Sequence, residues 1–282
     1  MTGDSRTTPA NERVAHVSLR GEVEAERFVE GQWMTVQQPI ANLAFEPKGP
    51  RQNQLLFGER FLVLDTVEGF AFGQAERDGY VGWIATVALT ETPEATHWVV
   101  APATHLYPRA EVKAQAEVAL FFGSLVHVTG ERGDFHRVQT GHYVPKQHLM
   151  PVAAHFDDPV GVADLFLGTP YLWGGSSRWG IDCSGFIQLA LRACGAACPR
   201  DTDQQARAVG EDIAEAEPLR RGDLVFWDGH VGFMSDPRML LHANAHHMSV
   251  AYEPLKDAAA RIASQGYGQI TRRKRVNMGG GA

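Results

Sequence analysis

The sequence predicts an α+β chain: two small β-barrels in tandem, then a domain in which a helix packs beside an antiparallel sheet. Three observations predict it. Residues 55–84 ("LLFGERFLVLDTVEGFAFGQAERDGYVGWI") and 120–149 ("LFFGSLVHVTGERGDFHRVQTGHYVPKQHL") resemble each other. Phe57-Gly58 matches Phe122-Gly123 at an offset of 65, and Tyr80-Val81 matches Tyr143-Val144 at an offset of 63. Both stretches alternate apolar and polar residues in short runs broken by Gly and Asp, the pattern of strands joined by tight turns. The second observation is "CSGFIQLALRACG", which sets Cys183, Phe186, Ile187, Ala190 and Cys194 on one helical face, with Gly195 as its stop. The third is a pair of strand-like runs, "GDLVFWDGHVGFM" and "MLLHANAHHMSVAY". A helix beside an antiparallel sheet makes this half α+β.

The elements follow in order. Residues 1–35 begin polar and become mixed, and read as a short helix or lead-in segment. Residues 36–92 make the first barrel, 96–151 the second and 155–276 the third domain. "DDPVGVADLFLG" has an acidic start and helical apolar spacing. A turn at Ser235-Asp236-Pro237 joins the two strands that follow the long helix. The basic run Arg272-Arg273-Lys274-Arg275 reads as a solvated edge strand, and residues 279–282 as a disordered tail.

Composition excludes several partners. With 44% apolar and 21% charged residues, the 282-residue chain has the make-up of a soluble globular protein of one to three domains. A formal net charge of −7 argues against nucleic acid or an anionic membrane as partner. No apolar run approaches the ~20 residues of a membrane helix, so no membrane insertion is expected. "MTGDSRTTPANERVAHVSL" lacks a basic segment followed by an apolar core, which points to a cytoplasmic location. The periplasm is the alternative should a leader precede it. Three cysteines, an odd number, do not make a disulfide framework.

Cys183 falls at the first turn of its helix, where unpaired N–H groups and the helix dipole favour a thiolate. Gly174-Gly175 just before it permits a tight turn beside a substrate chain. A lone cysteine there is ordinarily structural. Two histidines change the balance, because a nucleophile needs a base and the base an orienting partner. His230 and His242 are 12 residues apart on the two strand-like runs. With the turn centred on Asp236 they oppose each other directly, at about 4.5–5.5 Å between Cβ atoms. A loop one residue longer spoils that register. Cys194 and Cys198, four apart, lack the paired spacing of a zinc site even with His246 and His247 considered, and read as structural.

"YLWGGSSRWGIDCSGF", "PRDTDQQ", "RRGDLVFWDGHVGF" and "LLHA", in that order, resemble the NlpC family of papain-like cysteine peptidases over residues 155–275. The resemblance implies a papain-like peptidase domain that hydrolyses amide bonds of peptidoglycan-derived peptides, with Cys183, His230 and His242 as its catalytic triad. It also implies an oxyanion site at the Cys183 N–H and the Tyr171 hydroxyl, and no metal or cofactor. The "FG" and "DGYVGWI" motifs of the barrels are similar to bacterial SH3 domains. Together the layout resembles endopeptidases that cut the γ-D-glutamyl bond to a diamino acid, meso-diaminopimelate or Lys, in murein recycling. That subgroup implies a substrate with a free N-terminal L-Ala. Its amine is expected near Asp182 and Ser184, which flank the nucleophile, near Arg200, Asp201 and Thr202, and near Tyr80 and Glu59 of the first barrel. The alternatives are a wall-binding module with a degenerate catalytic half, an acyl transferase on the same cysteine–histidine logic, and a periplasmic enzyme trimming intact peptidoglycan.

Overall fold

A computed structural model of the chain describes residues 3–277. The glycine-rich tail expected to be disordered lies outside them. The chain forms two compact units, one ending at Ala153 and the other beginning at Ala154.

In the first unit, a seven-stranded sheet has the spatial order Arg51–Leu56, Ile40–Ala44, Val81–Ala85, Phe70–Ala75, Arg60–Val67, Gln32–Val36, Leu89–Thr90. Leu55 near one end of that order and Val36 and Leu89 at the other share one buried cluster with Leu43, Phe61 and Ile84. A flat sheet cannot bring those residues together, so the sheet curls on itself as a small barrel. Register shifts near Leu43 and between Val63 and Asp65 supply bends of the kind that curling requires. The lead-in holds one short 3-10 helix, Val17–Leu19, and is otherwise extended. Val14–His16 and Arg27–Val29 pair as short parallel strands, and Gln32–Val36 belongs to the barrel sheet. Tertiary packing decides this: Val14 is fully buried against Leu62, Leu64, Phe72 and Val81 on the sheet's other face. Arg13 and Arg27 both pair with the buried carboxylate of Asp65.

A second small barrel follows, from strands that include His97–Val99, Ala103–Leu106, Val118–Phe121, Phe135–Val138 and Tyr143–Pro145. Its core joins Val99, Leu106, Leu120, Val126, Val138 and Val144, and takes in Phe57 from the first repeat. The repeated Phe-Gly pair marks the same turn twice. Gly58 and Gly123 have φ of +83° and +91°, a backbone that strains any residue with a Cβ. At Gly58 the chain also meets its neighbour: the Leu125 N–H donates to the Phe57 carbonyl at 2.7 Å.

In the second unit, α1 (Pro159–Asp164) is capped by Asp158, whose carboxylate accepts from the Val160 N–H, with Pro159 at its first position. Helix α2 (Cys183–Ala193) buries Phe186, Ile187, Ala190 and Leu191 completely, each large side chain stabilising by about 1.5–3 kcal/mol. It lies across the His230–Met234 and Met239–Asn244 strands, with Phe186 edge-on to Phe233 at 6.2 Å. The six-stranded sheet has the order Glu211–Asp212, Arg272–Arg275, Leu224–Trp227, His230–Met234, Met239–Asn244, Ser249–Pro254. The basic strand is therefore second from the edge, not the edge itself. Arg275 pairs with Asp223 and Glu217, and Lys274 with Asp212. Two helices the sequence reading did not assign complete the unit, α3 (Thr202–Ala208) and α4 (Leu255–Ser264).

Gly58→Ala and Gly123→Ala separate two costs. Both force a Cβ into left-handed backbone, at about 1–2 kcal/mol. A Cβ at Gly58 would also stand 1.9 Å from the Leu125 carbonyl oxygen, whereas at Gly123 the nearest atom is Leu56 Cδ1 at 3.4 Å. Thermal unfolding is expected to show the larger drop in Tm for Gly58→Ala. Equal drops would mean that the close approach contributes nothing.

Candidate active site

The nucleophile's position is set by a buried ion pair. Asp182 is the N-cap of α2; its Oδ1 accepts from the Gly185 N–H at 2.7 Å. Its Oδ2 accepts from the Gly174 N–H at 2.7 Å, so one carboxylate ties the helix start to the glycine turn. Arg200 donates to both oxygens, at 3.0 and 2.7 Å, and from Nη1 to Ser184 Oγ at 2.8 Å. Asp182, Ser184 and Arg200 are all buried. These mutual hydrogen bonds hold the turn on which Cys183 sits.

Cys183 is buried, with Sγ 3.9 Å from Thr202 Oγ1 and 3.8 Å from the Gly229 carbonyl. Gly229 belongs to the two-residue Asp228-Gly229 turn that joins Trp227 to His230. The expected pull of the helix start toward a thiolate meets opposition in the structure. Burial, and then the Asp182 charge beside it, push the thiol up to about 11, while Thr202 and the Val231 N–H pull less strongly the other way. The N-terminal field of α2 is countered by the carboxylate that caps it. Burial and the neighbouring His242 push His230 down to about 3. Both shifts favour the neutral forms, a thiol and an imidazole.

The two histidines do meet, but not as direct opposites. Phe233 pairs with Leu241 and Met234 with Leu240, so the turn is centred on Pro237, between Ser235 and Met239, one residue later than expected. The Asp236 carboxylate holds it by accepting from the N–H groups of Arg238 and Met239. This shift of the turn centre sets His242 across from Gly232, with His230 the diagonal neighbour on the same face. Diagonal side chains are within reach of rings. The missing Cβ of Gly232 makes the room, since one placed there would lie 2.9 Å from His242 Cβ. His230 Nε2 and His242 Nδ1 are 2.9 Å apart. Beyond them, His242 Nε2 lies 3.1 Å from Glu253 Oε2, and Arg261 donates to Glu253 from Nε at 3.0 Å and Nη2 at 2.7 Å.

Glu253 and Arg261 escaped the sequence reading, although a signal was there. Glu253 is a charged residue in the alternating "SVAYEP" strand, and Ala258 and Ile262 mark α4 by their i, i+4 spacing. Tyr171 is close enough to Cys183 and Asp182 for their charges to act on its hydroxyl. Burial first, and then those charges, hold the phenol well above its ordinary range, so it keeps its proton as a donor. A cleft of about 750 Å³ opens beside it, lined by Trp173, Gly229, His230, Asn244, Arg261 and Tyr267 among others. Thr202 reaches Cys183, and Asp201 caps α3 in a reciprocal pair with Gln204. Glu59 is buried in the first unit, where it accepts two bonds from Arg77 and one from the Leu56 N–H. Tyr80 is in that barrel's core, stacked on Phe45. Both are thus engaged in their own fold. Cys194 and Cys198 are free thiols. His242, His247 and Glu253 have ligand atoms within 4.8 Å of one another. Arg261 already occupies both Glu253 oxygens, however, and a cation would have to displace it.

Two outcomes follow from this geometry. Arg200→Ala strands the Asp182 charge and is expected to destabilise the protein by about 3–5 kcal/mol in chemical denaturation. With a thiol pKa raised in this way, the thiolate fraction is small at neutral pH and rises as pH rises. Iodoacetamide alkylation of Cys183 is therefore expected to accelerate roughly tenfold per unit between pH 7 and 9. A rate already on its plateau at pH 5 would instead mean a preformed thiolate–imidazolium pair.

Comparison with known proteins places this site. A model of the NlpC/P60 family matches residues 168–265, and one described as the bacterial dipeptidyl-peptidase SH3 domain matches 44–89. The gamma-D-glutamyl-L-lysine dipeptidyl-peptidase of Bacillus subtilis is 31% identical over 217 residues, covering 68% of this chain and 72% of the relative. A protein of the same name from Bacillus cereus is 28% identical over 202 residues, covering 62% of this chain and 60% of its own length. A solved NlpC/P60 family protein from Bacillus cereus has a TM-score of 0.73 at 20% identity, covering 87% of this chain and 99% of that one, a likeness of fold. With a cysteine at a capped helix start, two facing histidines and a relative aligned over most of its length, the chain belongs to the NlpC/P60 family and is a cysteine peptidase.

Proposed function

We propose that the protein hydrolyses the γ-D-glutamyl bond to a diamino acid, diaminopimelate or Lys, in peptidoglycan-derived peptides with a free N-terminal L-Ala. We place it inside the cell, in murein peptide recycling. The observation that carries this reading is the pairing, in this chain, of an SH3 domain of the dipeptidyl-peptidase type with the peptidase domain, beside the similarity to the Bacillus subtilis gamma-D-glutamyl-L-lysine dipeptidyl-peptidase. An enzyme that releases an N-terminal dipeptide must measure distance from a free amine. That ammonium needs an acceptor of negative charge near the nucleophile.

Asp201 is the carboxylate we assign to it, because its neighbour Thr202 reaches Cys183 and because Asp182 is matched by Arg200. In the reaction, Cys183 Sγ attacks the glutamyl side-chain carbonyl carbon while its proton passes to His230. The oxyanion forms against the Cys183 N–H and the Tyr171 hydroxyl. His230 then hands the proton to the leaving amine, leaving a thioester. A water, deprotonated by His230, attacks the thioester and releases the dipeptide.

Cys183→Ala is expected to abolish turnover with the fold intact. His230→Ala is expected to lose more activity than His242→Ala, since only the first removes the proton carrier, a role worth about 10²–10⁴-fold. For specificity, kcat/KM is measured on L-Ala-γ-D-Glu-diaminopimelate and its N-acetyl form, with wild type and Asp201→Asn. Asn also caps helices well, so this change removes charge and keeps α3. A loss on the order of 10²-fold is expected from either acetylation or the substitution, and little more from both together. Equal cleavage of the acetylated peptide or of intact wall would replace recycling with wall trimming.

A further inference from the structure

We propose that Glu253 and Arg261 are positioning residues that fix the tautomers of His242 and His230, so that the His230 nitrogen facing away from His242 is the one carrying a lone pair. The inference rests on the reading of Cys183 and His230 as nucleophile and base.

The chain of donors admits one arrangement. Arg261 is always charged and has only donors, so the Glu253 carboxylate that takes its two N–H groups is ionised and can only accept. His242 Nε2, 3.1 Å from Glu253 Oε2, must then carry a hydrogen and donate it. A neutral His242 has its lone pair on Nδ1. That nitrogen lies 2.9 Å from His230 Nε2, so His230 donates from Nε2. A neutral His230 with its hydrogen on Nε2 has a bare Nδ1, which is what a base for the thiol requires. When Nδ1 takes the proton, the Nε2–H still donates to His242, and no bond in the chain has to be reversed.

Each charged residue has a separate part. Without the Glu253 carboxylate, nothing obliges His242 to keep its hydrogen on Nε2. A hydrogen moved to Nδ1 would meet the His230 Nε2–H head on and drive His230 to the tautomer that cannot accept from a thiol. Arg261 guards the opposite error. It balances Glu253, and His242, fully buried, stays neutral: burial is the largest influence on it and outweighs the pull of Glu253. With Arg261 gone, an unmatched carboxylate beside His242 would favour the imidazolium, which donates from both nitrogens and again turns His230 round. Arg261 lies at the wall of the cleft beside His230 and is only slightly exposed.

The test uses Glu253→Gln and Arg261→Gln in the whole protein. Ring ¹⁵N spectra read the tautomers without reference to activity. Wild type is expected to show the hydrogen on Nε2 of both His230 and His242. Glu253→Gln is expected to move His242 toward the Nδ1–H form, and Arg261→Gln to protonate it at both nitrogens near neutral pH. In both variants kcat is expected to fall at least about tenfold with KM little changed, as a wrong tautomer does in a serine–histidine–aspartate triad. Unchanged tautomers in both variants, or full kcat in both, would overturn the proposal. Cys183→Ala and His230→Ala keep the two readings apart. If those two are inactive while Glu253→Gln and Arg261→Gln turn over normally, the positioning role fails and the nucleophile–base reading stands. Activity surviving in Cys183→Ala sinks that reading itself, and the spectra still decide the tautomers.

Discussion

The buried pairing of Asp182 with Arg200 is the constraint on which the active site depends. One carboxylate takes the cap of α2, the N–H of Gly174 eight residues before it and both arms of a guanidinium. Cys183 is the next residue, so its sulfur is aimed by a group that has no freedom left. A buried ion pair of this kind adds little net stability over an apolar replacement. Its value is geometric: the turn has one arrangement in which all of these hydrogen bonds close.

A second arginine–carboxylate pair repeats the device on the other side of the reaction centre. Glu253 and Arg261 stand behind the histidines as Asp182 and Arg200 stand behind the cysteine. In both cases an acidic residue near the chemistry is paired with an arginine. Burial raises the thiol and lowers the imidazole, and it keeps the Tyr171 phenol protonated.

Much of this was legible in the sequence because it is local. Helix α2 could be read from apolar spacing and its glycine stop, and Cys183 at its first turn follows from that. The repeat of Phe-Gly exposed the two barrels, since a left-handed turn needs glycine each time. The histidine contact was foreseen for a slightly wrong reason: the turn is centred on Pro237, one residue beyond the Asp236 centre expected of Ser-Asp-Pro. The face was kept nonetheless, since moving the turn centre by one residue shifts the pairing by two. What could not be read is what depends on distant partners. Arg200 neutralises Asp182 across 18 residues, and nothing in "RDT" says which of its charges turns inward. Arg261 comes from a helix whose composition, rich in alanine, points to no chemistry. The basic strand looked like a sheet edge because the two-residue strand that covers it is too short to leave a pattern.

Phe57 gives the two barrels a shared fate. It lies in the first copy of the repeat yet is buried in the core of the second, and the backbone beside it bonds directly to Leu125. The boundary visible in the sequence is thus not a line of weakness. Recombination that exchanged one barrel for a foreign one would leave a hole in its neighbour, so the pair is expected to be inherited, and to melt, as one cooperative piece.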